Sequence, residues 1–161
     1  MRETAIGIDI GGTFTKFGLS DVEGNILMEG SIPTYTHKEI KPFLDALSQA
    51  IQENLDKLNE PIEIMGIGIG APNGNYYKGT IEYAPNLHWK GIVPFIEMFR
   101  EYFDLPMVLT NDANAAAIGE KVFGGAKDMN DFIVITLGTG LGSGLVTRGK
   151  LIYGHDGLAG E

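Results

Sequence analysis

The sequence has no cysteine, a single tryptophan and no surplus of basic residues. Without cysteine, disulfides and thiolate metal sites within the chain are excluded, and a reducing cytoplasm is the expected compartment. Lys and Arg number 12 against 21 Asp and Glu, a formal net charge of −9. Phosphate affinity comes from Lys and Arg, so this balance, with no basic cluster, argues against nucleic acid as a partner. No apolar stretch is long enough to span a bilayer, so no membrane partner is expected either. The opening "MRETAIGIDI" lacks the apolar core and small-residue cleavage site of a secretory signal. A length of 161 residues with 43% hydrophobic side chains fits a soluble globular chain of one domain, or one domain plus part of another.

Glycine is what the chain has in excess, with 23 residues concentrated in "GIDIGGT", "MGIGIGAPNGN" and "TLGTGLGSG". Glycine weakens a strand unless backbone must come close or take an unusual φ, so these placements ask for a reason. Around them, "TAIGIDI" alternates Ile6, Ile8 and Ile10 with Ala5, Gly7 and Asp9, and "TFTKFGLSD" and "NILMEGSIP" complete a three-stranded antiparallel meander. From Glu39 to Leu58 the apolar spacing predicts an amphipathic helix, with Pro42 in its first turn. "IEIMGIGIG" reads as a buried strand. A second helix is expected to carry Ile92, Phe95, Ile96, Phe99 and Phe103, followed by the strand "PMVLT" and a helix from about Ala113 to Phe123. The order βββαβαβα describes a mixed α/β layer. A new meander, "DFIVITLG", "GSGLVTRG" and "KLIYG", then opens with no helix after it. The expectation is a lobe over residues 1–125 and an incomplete second unit over 126–161. The apolar residues of that meander (Phe132, Val134, Leu145, Val146, Leu151) are expected to lack a cover, which predicts self-association or poor order.

Three stretches carry candidate chemistry. Asp9 ends a strand and is followed at once by Gly11, Gly12 and Thr13, a turn that can approach a phosphate or equally a simple Asx hairpin. In "LTNDANAAAIGE", Asn111 and Asp112 stand between a strand and an alanine-rich helix. Capping is the ordinary role of such a pair, but ligands in open α/β sheets bind outside the same strand ends. If Asp9 and Asp112 end neighbouring strands they share one rim, an arrangement suited to phosphoryl transfer with Asp112 accepting a hydroxyl proton. "LGTGLGSG" presents Gly138, Thr139 and Gly140 in a second glycine hairpin, without the helix that a dinucleotide fingerprint requires. "APNGNYYKGTIEYAPNLHW" is amide-rich and aromatic, which suits hydroxyl recognition; its Tyr76, Tyr77, Tyr83 and Trp89 are equally suited to packing. In "GHDGLAGE", His155, Asp156 and Glu161 read first as a solvated turn.

In that order, "IGIDIGGTFTKFGL", "LTNDANAAAIGE", "ITLGTGLGSGLV" and "GHDGLAGE" resemble the ROK family of sugar kinases and repressors, with "APNGNYYKGTIEYAPNLHW" most similar to its bacterial glucokinases. The resemblance implies an α/β, actin-like (ribonuclease H-like) ATPase fold with a mixed five-stranded sheet, plus the start of a second, like domain. It implies ATP and Mg2+ as cofactors and glucose or a related hexose as substrate. By position, Asp9, Gly11, Gly12 and Thr13 resemble the first phosphate-binding turn, with Asp9 near magnesium through water. Gly138, Thr139 and Gly140 resemble the second. Asn111 and Asp112 resemble the sugar-binding pair, with Asp112 as base for the 6-hydroxyl. Glu161 matches a sugar-contacting glutamate, and Asn73 with Gly74 falls near the sugar's far edge.

The family glutamate is followed by a sugar-binding histidine, a cysteine-rich zinc motif and the adenosine site, none of which occurs here. Structural zinc is therefore implied for that missing part and none for this chain, which alone is expected to be inactive. Repressors of the family carry a helix-turn-helix ahead of the first strand, whereas here the strand begins within five residues, which disfavours a repressor. A cytoplasmic homo-oligomer that phosphorylates glucose is the expectation. Its rivals are an N-acetylhexosamine, mannose or fructose kinase, and a sugar-binding regulatory protein without turnover.

Overall fold

The computed structural model describes residues 1–138 and 140–160. The chain opens with β1 (Arg2–Ile10), β2 (Phe14–Asp21) and β3 (Ile26–Pro33), the expected meander. Ile6, Ile8, Ile10, Phe17 and Leu19 are buried on one face by the alternation of the strands. Helix α1 (Ile40–Leu55) covers that face with Phe43, Leu44, Leu47 and Ile51, all fully buried. At roughly 1.5–3 kcal/mol for each such side chain, this layer is a large stabiliser of the sheet. The helix is shorter than its apolar spacing predicts: Lys57 and Leu58 bond back only three residues, to Asn54 and Leu55. Leu58 still packs on the core, so the apolar period outlasts the helix.

Strand β4 (Ile62–Gly70) lies parallel to β1. Three small strands follow, β5 (Gly74–Asn75), β6 (Thr80–Glu82) and β7 (Ile92–Val93), which pair as an antiparallel sheet of their own. Segments of two or three residues leave no readable period, which is why this stretch reads as loop in the sequence. Its turns instead rest on left-handed residues, Asn73 (φ 51°), Gly79 (φ 67°) and Tyr83 (φ 52°). Helix α2 (Phe95–Phe99) is a single short element. Ile92, expected on this helix, is taken into β7 because its neighbourhood pairs with Ile81 and Glu82. Phe103 lies past its end, where its ring still meets Phe99 at 5.3 Å. Strand β8 (Met107–Thr110) pairs with β4 and completes a five-stranded sheet of order β3-β2-β1-β4-β8. Helix α3 (Asp112–Val122) then crosses the face opposite α1.

The second meander, β9 (Phe132–Leu137), β10 (Leu141–Thr147) and β11 (Lys150–Leu151), forms a third sheet of order β11-β10-β9. Its face toward α3 carries Phe132, Val134, Gly142, Gly144 and Val146, and Val146 is buried there. Of the residues expected to lack a cover, Phe132, Val134 and Val146 therefore face α3, whereas Leu145, paired with Ile133, lies on the opposite face as expected, together with residues that the expectation did not name. Ile133, Ile135, Leu137 and Leu141 are 59%, 62%, 84% and 72% exposed. The meander's register, not its hydrophobicity, decides which set meets α3. An exposed aliphatic face beside the open edge of β9 is a template for association. The 161-residue chain is expected to self-associate through it at micromolar concentration. In light scattering, Ile133→Thr with Ile135→Thr should restore a monomer.

Candidate active site

The site lies where β1, β4 and β8 end. Register places Asp9 opposite Gly70, and Gly70 opposite Thr110. β1 and β8 are separated by one strand, or roughly 10 Å, so the segment following Thr110 reaches the same rim as Asp9. Gly70 makes that approach close: a Cβ there would stand 3.1 Å from Ala115 Cβ and 3.6 Å from the Asp112 Cα. On its other side α3 meets β10, where a Cβ on Gly144 would come within 2.7 Å of the Ala113 carbonyl. Ala113 and Ala117, both fully buried, face this strand. Alanine on the helix and glycine on the strands let α3 lie between two sheets.

The cap at the start of α3 belongs to Asn111. Its buried side-chain oxygen accepts from the Asn114 N–H at 2.7 Å, with extended backbone at the cap. Asp112 is the first helical residue, exposed, with Oδ1 accepting from the Ala113 N–H at 2.8 Å. The capping role that competes for Asp112 is thus filled by its neighbour. A cavity of about 410 Å³ is lined by Asp9, Gly70, Asp112, Ala115, Ala116 and Thr136, among others. Both carboxylates that the sequence singles out therefore face one space.

Asp9 feels that arrangement. It is exposed as a residue, yet neighbouring atoms strip enough water from its carboxyl to raise its pKa, and the Asp112 charge raises it further. Lys16, opposite Asp9 in the β1–β2 register, partly offsets both. Among the described residues no group of three or more His, Cys, Asp or Glu could hold a metal. One or two carboxylates are nonetheless the protein share normal for Mg2+, which takes its other ligands from water and phosphates.

The two glycine turns flank the cavity differently. Gly11 donates its N–H to the Phe14 carbonyl at 3.1 Å, which closes the first turn, and Gly12 presses on Asn86, whose carbonyl a Cβ would meet at 2.7 Å. Thr13 accepts from the Thr34 N–H at 2.8 Å, tying the turn to the end of β3. Gly138 and Gly140 have open space where side chains would stand, with the Gly138 N–H donated to the Gly140 carbonyl at 3.0 Å. Thr139 and Glu161 lie outside the described residues. Gly74 packs on the backbone of Thr110 beside the Asn111–Asp112 seam. The Asn73 amide donates to the Glu82 and Tyr83 carbonyls, at 3.0 and 3.4 Å.

Trp89 is a core residue, 4.5 Å from the Phe43 ring, with Nε1 donating to the His37 carbonyl. Tyr83 is exposed, and His155 and Asp156 extend into solvent as a surface turn. Sequence reasoning missed that Gly70, Gly142 and Gly144 pack against α3; the backbone of Gly142 and Gly144, expected at an unobstructed surface, is covered by that helix. Their signal is present as glycines spaced by two, opposite a helix with small residues at 113, 115 and 117.

A ROK family model matches residues 5–161. The chain belongs to the ROK family. With that come the actin-like fold and the five-stranded mixed sheet described above. A glucokinase of Streptomyces coelicolor is 43% identical over 157 residues, 97% of this chain and 47% of that protein. A xylose repressor of Caldicellulosiruptor bescii is 37% identical, over 97% of this chain and 39% of the repressor. The crystal structure of a ROK glucokinase from Streptomyces griseus, in complex with glucose and AMPPNP, superposes with a TM-score of 0.84 at 37% identity. It covers 98% of this chain and 49% of that one. The chain thus spans less than half the length of each of these relatives.

Two measurements test the site as described. Because burial and Asp112 raise the Asp9 pKa, ionising Asp9 costs stability, fully above its raised pKa and not at all below the ordinary 3.8. Asp9→Asn should therefore raise the thermal midpoint at neutral pH, with the gain vanishing as pH falls through that window. Gly144→Ala should destabilise by about 1–3 kcal/mol in urea unfolding, because the new methyl pushes α3 off β10.

Proposed function

We propose that the protein carrying this chain transfers the γ-phosphoryl group of ATP to the 6-hydroxyl of glucose, and that residues 1–125 together with the opening of the second unit, 126–161, supply sugar and phosphate contacts in its cleft. The observation that carries this reading is the division of labour at the start of α3. Asn111 caps the helix, and Asp112 is left with its carboxylate on a cavity shared with Asp9. In the proposed reaction Asp112 accepts the proton of the 6-hydroxyl as that oxygen bonds to the γ-phosphorus and the bond to ADP breaks. Gly11, Gly12, Thr13, Gly138, Thr139 and Gly140 are the residues proposed to receive the phosphates, the open space at Gly138 and Gly140 permitting close approach. Asp9 is proposed to hold Mg2+ through water; the ion when bound would neutralise phosphate charge and reverse the unfavourable environment of that carboxylate. Asn111 and Glu161, with Asn73 and Gly74 at the far edge, are the proposed sugar contacts.

A related hexose as substrate is the second reading, because pocket shape decides among sugars and half of the relatives' length lies beyond this chain. The presence of repressors among the relatives makes turnover itself the property to test. A protein uniting this chain with the half its relatives add should phosphorylate at least one member of a hexose panel with Mg-ATP, glucose foremost. In it, Asp112→Asn should keep fold and sugar binding and lose about 10²–10⁴ in kcat. Turnover within threefold of the parent would remove Asp112 as the base.

A further inference from the structure

The segment from Tyr153 to Gly160 leads into Glu161, yet the side chains of His155 and Asp156 are 98% and 79% exposed. Burial of those side chains does not hold it. Its backbone is held instead, at three points. Tyr77 donates its hydroxyl to the Gly154 carbonyl at 3.0 Å, and the Tyr76 ring stacks on Tyr153 at 4.0 Å and 11°. The Asn75 amide donates to the Asp156 carbonyl at 2.9 Å. Ser143 donates both its N–H and its hydroxyl to the Gly160 carbonyl, at 2.9 Å each. Ser143 sits between the two glycines that pack on α3, so this last anchor is tied to the helix that carries Asp112.

Among these anchors Asn75 is the unusual one. It is fully buried in a two-residue strand, where an apolar side chain would be the ordinary occupant. All its hydrogen-bonding places are used. Oδ1 accepts from the N–H groups of Tyr77 and Lys78 at 3.1 and 3.3 Å, and Nδ2 donates to Glu82 Oε1 at 3.3 Å besides Asp156. Three of the four bonds stay within residues 75–82. The fourth crosses to a residue 81 positions away. Gly157, at φ 81°, lies against the same amide, where a Cβ would come 2.7 Å from Asn75 Oδ1.

We propose that Asn75 is a positioning residue for sugar binding: its buried amide fixes the backbone of residues 154–160, the segment that precedes the proposed sugar contact Glu161 in the chain. This rests on the kinase reading above for the role of Glu161, while the hold of Asn75 on the loop is separate from it. Asn75→Asp is the discriminating change. It keeps the oxygen that accepts from Tyr77 and Lys78 and turns the donor shared by Glu82 and Asp156 into an acceptor, so within the hairpin only the bond to Glu82 is lost and across the gap the bond to Asp156. Burial raises the Glu82 pKa, but hydrogen bonds from Thr80, Lys78 and Asn75 outweigh it and hold the carboxyl below its usual value; the substitution removes the Asn75 donor and sets a second carboxyl beside Glu82.

In the protein uniting this chain with the half its relatives add, Asn75→Asp should raise the glucose KM about tenfold, the effect of one ordinary hydrogen bond lost. The ATP KM should stay within twofold and kcat within threefold. Hydrogen exchange of the amides of residues 154–160 should speed up, with that of α1 unchanged. Tyr77→Phe removes a single hydroxyl from an exposed ring and should shift glucose KM and exchange in the same direction by less, which covers the case where Asn75→Asp does not fold. Parental glucose KM in both folded variants, or an equal rise in the KM values for glucose and ATP, overturns the proposal. If the parent phosphorylates no hexose, the kinase reading falls, and unchanged exchange at residues 154–160 would then overturn the hold of Asn75 on the loop as well.

Discussion

The structure depends on how closely α3 can lie to the strands on either side of it. Gly70 below and Gly142 with Gly144 above have no side chain to hold the helix away, and the helix answers with Ala113, Ala115 and Ala117. Cores are packed too densely to absorb an added methyl without displacement. A Cβ on either strand would move the helix and, with it, the first turn that carries Asn111 and Asp112. The geometry of the cavity is therefore set by residues without functional groups. The carboxylates are presented by packing, and their chemistry follows from it.

Electrostatics at the rim runs against stability. Two carboxylates face one cavity, and the raised pKa of Asp9 records the penalty of keeping it ionised beside Asp112 under partial burial. Lys16 offsets the penalty without cancelling it. Under the proposed function, a water-bound Mg2+ beside Asp9 would offset that penalty. The sheet tolerates this penalty because its stability comes from elsewhere. The layer of α1 on the opposite face of the sheet buries its large aliphatic and aromatic side chains away from the rim.

Much of this was legible in the residues. Alternating Ile6, Ile8 and Ile10, the spacing of Phe43, Leu44, Leu47 and Ile51, and the order of elements specify the sheet, its covering helix and the mixed α/β class, because burial on one face leaves a period that survives in sequence. The ordered motifs identify the family, and they single out Asp9 and Asp112. The β5–β7 sheet was not legible, since strands of two or three residues leave no period and their turns depend on φ values at Asn73, Gly79 and Tyr83. Ile92 illustrates the competition: apolar and helically spaced from Phe95, it is claimed by strand pairing instead.

What the sequence by itself determined is therefore what local pattern encodes: strand and helix identity over long elements, the buried face of β1 and α1, and the chemical types that stand at the ends of strands. Tertiary structure alone decided the assignments that hinge on contacts between distant segments. It turned Ile133 and Ile135 outward in place of Phe132 and Val134, brought Asp112 onto one cavity with Asp9, and joined Asn75 to Asp156. A strand's two faces are chemically alike when both are apolar, and a buried amide reads the same as a surface one. Only the partner across the gap, many residues away, distinguishes them.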